Sequence, residues 1–268
     1  MKKIDVILFG GQSNMQGQSE LLSENAPVAG AYEYRLFGNA LLPLQNPVGE
    51  NIRYDGQKGI TYTDEVDQAE WLRAHVTGSA CYGHTNMVPS FCRAYVEQTN
   101  KTVVAVHIAK GSTEVTDWLP GTDGYRVLLR KAGAALDRVR ETYEIERVYF
   151  VWLQGESDAI FKRSKADYKD KLTQLATSLC AALPVEKFCV IRVGRFTNDA
   201  RDDEIIGAQD ELCREHPDFL MLTEIATTLN TMAEYMNPYV AGHYSAKGLE
   251  KLGDEAGRAL GAYRNETK

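Results

Sequence analysis

Five short apolar runs, at residues 4–9, 102–108, 147–153, 188–193 and 219–222, constrain the fold of this chain more than any other feature. Each is shorter than a typical helix and lacks the polar alternation of a half-exposed strand, so each reads as a strand buried on both faces. Between them, apolar residues recur at helical spacing: Val88, Phe91, Cys92, Tyr95 and Val96; Leu128, Ala132, Ala135 and Val139; Tyr168, Leu172, Leu175 and Leu179; Ile205, Ala208 and Leu212; Leu249, Leu252, Ala256 and Leu260. Buried strands alternating with amphipathic helices require a parallel sheet covered on both sides. The pattern predicts an α/β fold, a three-layer α/β/α sandwich with a five-stranded parallel sheet in flavodoxin-like order. With 268 residues, 44% of them hydrophobic, the chain can fill the core of a single domain over residues 1–268.

Residues 19–87 do not follow this scheme. They show no sustained periodicity and carry Pro27, Pro43, Pro47 and many Gly, Asn and Tyr residues. Irregular segments of that length are uncommon in compact domains unless they form lids or binding surfaces, so an irregular insertion over the active site is expected.

A formal charge of -7 leaves no electrostatic footprint for nucleic acid or an anionic membrane. No apolar run approaches the roughly 18 residues of a membrane span. The N-terminal run contains Asp5 and reads as a first strand rather than a secretory leader, which makes a cytoplasmic location the expectation. The five cysteines show no C-x-x-C pairing; Cys92, Cys180 and Cys213 fall on periodic apolar faces, as free thiols in a reducing compartment do. His75, His84, His107 and His216 have no ligand spacing with Cys or carboxylates, so no metal site is expected. Neither G-x-x-x-x-G-K-[ST] nor G-x-G-x-x-G occurs, which argues against a phosphate cradle at Gly111-Ser112-Thr113.

In an open parallel sheet, ligands bind beyond the carboxyl ends of the strands. The segments expected there are Gly10-Gly11-Gln12-Ser13-Asn14-Met15, Ala109-Lys110-Gly111-Ser112-Thr113, and Trp152-Leu153-Gln154-Gly155-Glu156-Ser157-Asp158; Gly242-His243-Tyr244-Ser245 precedes the last helix. Together they supply the parts of acyl transfer. Ser13, just past a Gly-Gly turn, is the candidate nucleophile, and a serine hydroxyl needs a base to take its proton. His243 is the candidate base; with Ser245 as a helix cap, it lies near the positive helix end, which disfavours imidazolium. The amides of Ser13 and Gly111 and the side chain of Gln154 are the candidate oxyanion donors. Each residue also has an ordinary structural reading: a turn serine, a surface histidine, solvated carboxylates at Glu156 and Asp158, or a helix cap at Asp158. The G-x-S-x-G elbow of the α/β-hydrolases is absent.

Gly11-Gln12-Ser13-Asn14-Met15, Gly111-Ser112-Thr113 with Trp118 downstream, and Trp152-x-Gln154-Gly155-Glu156-Ser157-Asp158 resemble the SGNH hydrolases of carbohydrate esterase family six, which include acetylxylan esterases and sialate O-acetylesterases. The resemblance runs from the first strand to the last helix. It implies a serine esterase that removes acetyl groups from acetylated sugars, acetylxylan or sialic acid O-acetyl esters, through an acyl-serine intermediate and without a cofactor. Gln12, Asn14 and Trp118 are then the substrate-binding candidates, and Trp71 and the tyrosines of the insertion suit stacking on a sugar ring. A cytoplasmic location favours a small imported sugar.

Two positions depart from the family pattern. Ser112 stands where a second glycine is usual, and leaves open whether Gly111 or Ser112 supplies an oxyanion amide. Val240 stands where an Asp three residues before the histidine is usual. Glu156 is expected to take over the orientation of His243, with Asn237 or a backbone carbonyl as the alternatives. The rival reading, a catalytically silent carbohydrate-binding protein on the same fold, rests on that missing Asp.

Overall fold

The computed structural model describes residues 1–19, 25–36, 38–49, 52–54, 60–62 and 85–267. Trp71, His75, Cys81 and His84 lie outside the described residues, as does much of the segment 19–87. The strands are β1 (Lys3–Gly11), β2 (Ala31–Arg35), β3 (Ala40–Pro43), β4 (Ile52–Tyr54), β5 (Ile60–Tyr62), β6 (Val103–Ala109), β7 (Glu144–Leu153), β8 (Lys187–Ile191) and β9 (Phe219–Thr223). The five strands read from the sequence are β1, β6, β7, β8 and β9. They run parallel in the order β6-β1-β7-β8-β9, the flavodoxin-like arrangement.

The sheet is nevertheless mixed and seven-stranded, not five-stranded and parallel. β2 adds to β6 in parallel, and β3 closes that edge antiparallel to β2. Both added strands come from the segment expected to be irregular. Their pattern hides them because β2 buries a charge: Glu33 accepts from the Gly49 amide at 2.6 Å and pairs with Arg35 at 3.1 Å. β4 and β5 form a separate antiparallel pair.

The helices are α1 (Ser13–Gln16), α2 (Val88–Thr99), α3 (Asp123–Arg140), α4 (Glu156–Ile160), α5 (Lys165–Ala182), α6 (Ala200–Glu215), α7 (Ala226–Leu229) and α8 (Ala246–Glu266). Side-chain caps start the longer ones: Thr122, Ser164, Asp199 and Ser245 each accept from a backbone amide in the first turn, as short oxygen-bearing side chains do at that position. Among the described residues, no helix is long and apolar enough to cross a membrane.

Strand alternation sorts the core into two layers. Phe9 of β1 meets Phe91 of α2, and Tyr149 of β7 meets Tyr263 of α8. The neighbours of Tyr149 along the strand point the other way: Phe150 packs on Phe188, and Trp152 packs on Trp118 and reaches Tyr168 of α5. α2 and α8 lie against each other with little space between their backbones. A Cβ on Gly257 would stand 2.2 Å from the Phe91 carbonyl oxygen, and one on Gly253 2.4 Å from that of Met87. Asp5 ties this layer to the sheet: it accepts from Tyr95 of α2 at 2.7 Å and Arg264 of α8 at 2.9 Å. Leaving either partner of such a buried pair alone costs several kcal/mol, so β1, α2 and α8 hold their relative positions.

Candidate active site

Three adjacent strands end at one level. In the central strand β1, Gly11 stands opposite Ala109 of β6 and Leu153 of β7. The chain then turns sharply. Gly11 has φ +147°, and a Cβ there would stand 2.0 Å from the Leu153 carbonyl oxygen, so only glycine fits. Gln12 N–H donates to that carbonyl and Lys110 N–H to Gly11 O, which locks the three turns together. Ser13 opens α1 immediately beyond, and its amide has no hydrogen-bond acceptor among the described residues.

Asn14 brings His243 to this point. Its side-chain oxygen accepts from Tyr244 N–H at 3.3 Å, and its nitrogen faces Gly242 O at 3.5 Å, so the residues on both sides of His243 are held against α1. His243 Nδ1 pairs with Ala241 O at 2.8 Å, and the Phe196 ring stands edge-on to the imidazole at 5.8 Å. A carbonyl can only accept, so Nδ1 carries the proton and Nε2 is the bare nitrogen. Nε2 is buried and has no hydrogen-bond partner among the described residues. Burial lowers the His243 pKa below its ordinary 6.5, with the bonds to Ala241 and Val240 acting the other way. Ser245 caps α8 as expected, but desolvation is the leading cause of the neutral ring.

Glu156, expected to orient His243, is hydrogen-bonded elsewhere: Oε1 accepts from Asn14 at 2.8 Å. Asn14 in turn accepts from Tyr244, so Glu156 is linked to the histidine segment by hydrogen bonds through Asn14. The second Glu156 oxygen has no hydrogen-bond partner among the described residues, and burial raises the Glu156 pKa, opposed by the Asn14 bond. Asn237, the alternative, accepts from Tyr239 and Val240 amides and donates to Gln18 O, building the turn before His243 rather than meeting the ring. The remaining option, a backbone carbonyl, is the one in place.

Several other expected contacts are corrected. Gln154 is fully buried; its amide nitrogen faces Asp158 at 2.5 Å, Thr113 O at 3.0 Å and Gln12 at 3.2 Å, so no proton remains for an oxyanion. Gln12 turns inward as well: its oxygen accepts from the Ser157 amide at 3.1 Å and from the Gln154 side chain at 3.2 Å. Both ends of the Asn14 amide are spent on the protein, which leaves it a positioning rather than a substrate-contacting residue. Trp118 is fully buried, donates to Thr113 Oγ1 at 3.0 Å and packs on Trp152, so it is core and not a sugar platform. Gly111, by contrast, does lie beside Ser13: a Cβ on it would be 3.4 Å from Ser13 Cβ. Ser112 takes the left-handed conformation, φ +62°, which accounts for the glycine usual there.

Sequence reasoning gave three residues that hold the site no role in it. Asp158 joins Gln154, the Val115 amide and Arg163, and burial pushes its carboxyl up to about 6. Tyr168 and Gln209 both donate to Gln154 O, at 2.8 and 2.9 Å. Only their helical spacing or polarity was visible; nothing local marks them as props for a loop from another element.

The family model of a carbohydrate esterase, the sialic acid-specific acetylesterase, matches residues 3–260. The chain belongs to that family. The sialic acid-specific acetylesterase family makes it a carboxylic ester hydrolase of the carbohydrate acetylesterase class. Solved structures share the fold at low identity. NanS is 14% identical with a TM-score of 0.63, covering 98% of both chains. A protein of Arabidopsis thaliana is 17% identical with a TM-score of 0.61, over 96% of this chain and 97% of that one. A carbohydrate acetylesterase from Xanthomonas citri is 14% identical with a TM-score of 0.52, over 97% of this chain and 56% of that one. No curated protein sequence matches the chain.

Proposed function

We propose that this acetylesterase works through an acyl-serine intermediate, with Ser13 as nucleophile and His243 as base. The observation that carries the reading is the state of His243: Nδ1–H is spent on Ala241 O, Nε2 is bare and buried, and the backbone on either side of the residue is held against α1 by Asn14. Ser13 Oγ bonds to the acetyl carbon as its proton passes to Nε2. The carbonyl oxygen becomes an anion and accepts from the Ser13 and Gly111 amides, the backbone pair that remains once Gln154 is removed from the set. The imidazolium returns the proton to the sugar oxygen as the ester C–O bond breaks. Water, deprotonated by the same nitrogen, then bonds to the acyl carbon, and the proton passes to Ser13 Oγ as its bond to the acetyl group breaks and acetate leaves.

In this scheme the Ala241 carbonyl does the orienting work of a triad acid, so Val240 is no obstacle. Glu156 acts at one remove, by fixing Asn14. The family description supports a sialic acid O-acetyl ester as substrate, with acetylated xylan fragments as the alternative within the class. A small imported sugar in the cytoplasm is part of the proposal; the free thiols of Cys92, Cys180, Cys189 and Cys213 fit a reducing compartment.

Hydrolysis of a panel of acetylated sugars by wild type and Ser13→Ala tests this reading. Acetate release from at least one sugar ester, lost by 10³-fold or more in the variant with the fold intact, is the expected outcome. Turnover by Ser13→Ala above a tenth of wild type contradicts the nucleophile.

A further inference from the structure

The Gly111 amide, which the proposed mechanism needs for the oxyanion, already has an acceptor. It donates to Gln16 Oε1 at 2.7 Å. Gln16 ends the one-turn helix that Ser13 begins, so their side chains lie on the same face, three residues apart. The missing side chain of Gly111 makes room for this contact: a Cβ there would stand 3.1 Å from Gln16 Oε1, 3.4 Å from Ser13 Cβ and 2.9 Å from Gln18 Nε2. An amide oxygen thus rests beside the nucleophile on the donor that an acetyl carbonyl would use. Gln16 is half-buried.

We propose that Gln16 gates the oxyanion site: its side-chain oxygen holds the Gly111 amide in the resting enzyme and must leave before the substrate carbonyl can accept from it. The inference rests on the serine-esterase reading above. A neutral hydrogen bond of this kind is worth little net of its exchange with water, so the gate restrains the reaction by about two- to tenfold. It satisfies the amide while the site waits, and it makes the substrate compete for the donor.

Steady-state hydrolysis of 4-nitrophenyl acetate by wild type, Gln16→Met and Gln16→Glu tests the gate. Met keeps the length of the side chain and removes the competing oxygen, so kcat/KM rises about two- to tenfold. Glu keeps the oxygen and adds charge, which grips the amide harder and repels the oxyanion, so kcat/KM falls at least tenfold. A merely structural side chain would not shift the rate in opposite directions for two near-isosteric replacements. A rate for Gln16→Met within twofold of wild type, or a fall in both variants, overturns the gate. Fluorophosphonate labelling of wild type, run alongside, keeps the two ideas apart. Labelled Ser13 with an unchanged Gln16→Met rate removes only the gate, whereas an unlabelled Ser13 removes the acyl-serine mechanism and the gate with it.

Discussion

At the scale of single residues, the account turns on which nitrogen of His243 carries the proton. The Ala241 carbonyl at 2.8 Å fixes it on Nδ1, and burial keeps the ring neutral by lowering its pKa below 6.5. A base with a lowered pKa stays competent through neutrality and is lost only as pH falls through the lowered value. The pH profile of kcat/KM should therefore have its acid limb centred below 6.5; a limb centred at 7 or above contradicts the environment described here. The places of Ser13, His243 and Gly111 in the fold were legible in the sequence because each sits near a strand end or helix start, positions that periodicity marks. Gln12, Gln154 and Trp118 were not. Their chemistry suits a ligand and an internal strut equally, and only the neighbours supplied by Thr113, Ser157 and Asp158 decide for the strut.

At the scale of elements, the position of the base depends on how α8 sits. α8 begins three residues after His243 and lies against α2 through glycines whose missing side chains are filled by backbone atoms. Gly257→Ala should lower unfolding stability by about 1–3 kcal/mol in urea titration, because the Phe91 carbonyl cannot move aside as a side chain would. Gly133→Ala in α3, where a Cβ meets nothing within 4 Å, should instead raise stability by about 0.5–1 kcal/mol. Equal effects at the two sites would mean that the helix pair is looser than described. The five long helices were legible, since each carries an apolar stripe and four of them carry an oxygen-bearing cap. β2 and β3 were not, because the strand period fails when Glu33 points inward and is stabilised by Gly49 and Arg35 rather than by apolar neighbours.

At the scale of the whole molecule, the sheet order assembles a site that no local stretch contains. Asn14 and Tyr244 lie 230 residues apart in the chain, yet their hydrogen bond holds the base segment to the turn after β1. The flavodoxin-like order of the five parallel strands follows from their buried character and was legible; the two edge strands that make the sheet mixed were not. The central claim is that this assembly yields a serine activated by His243 with no side-chain acid on the imidazole. Fluorophosphonate labelling of the intact protein, with the modified residue located by peptide mass, tests it most directly. The account predicts a single adduct on Ser13 whose formation slows at least a hundredfold in His243→Ala and stays within tenfold of wild type in Glu156→Gln. An adduct on another residue, or labelling of Ser13 at an undiminished rate in His243→Ala, would contradict it.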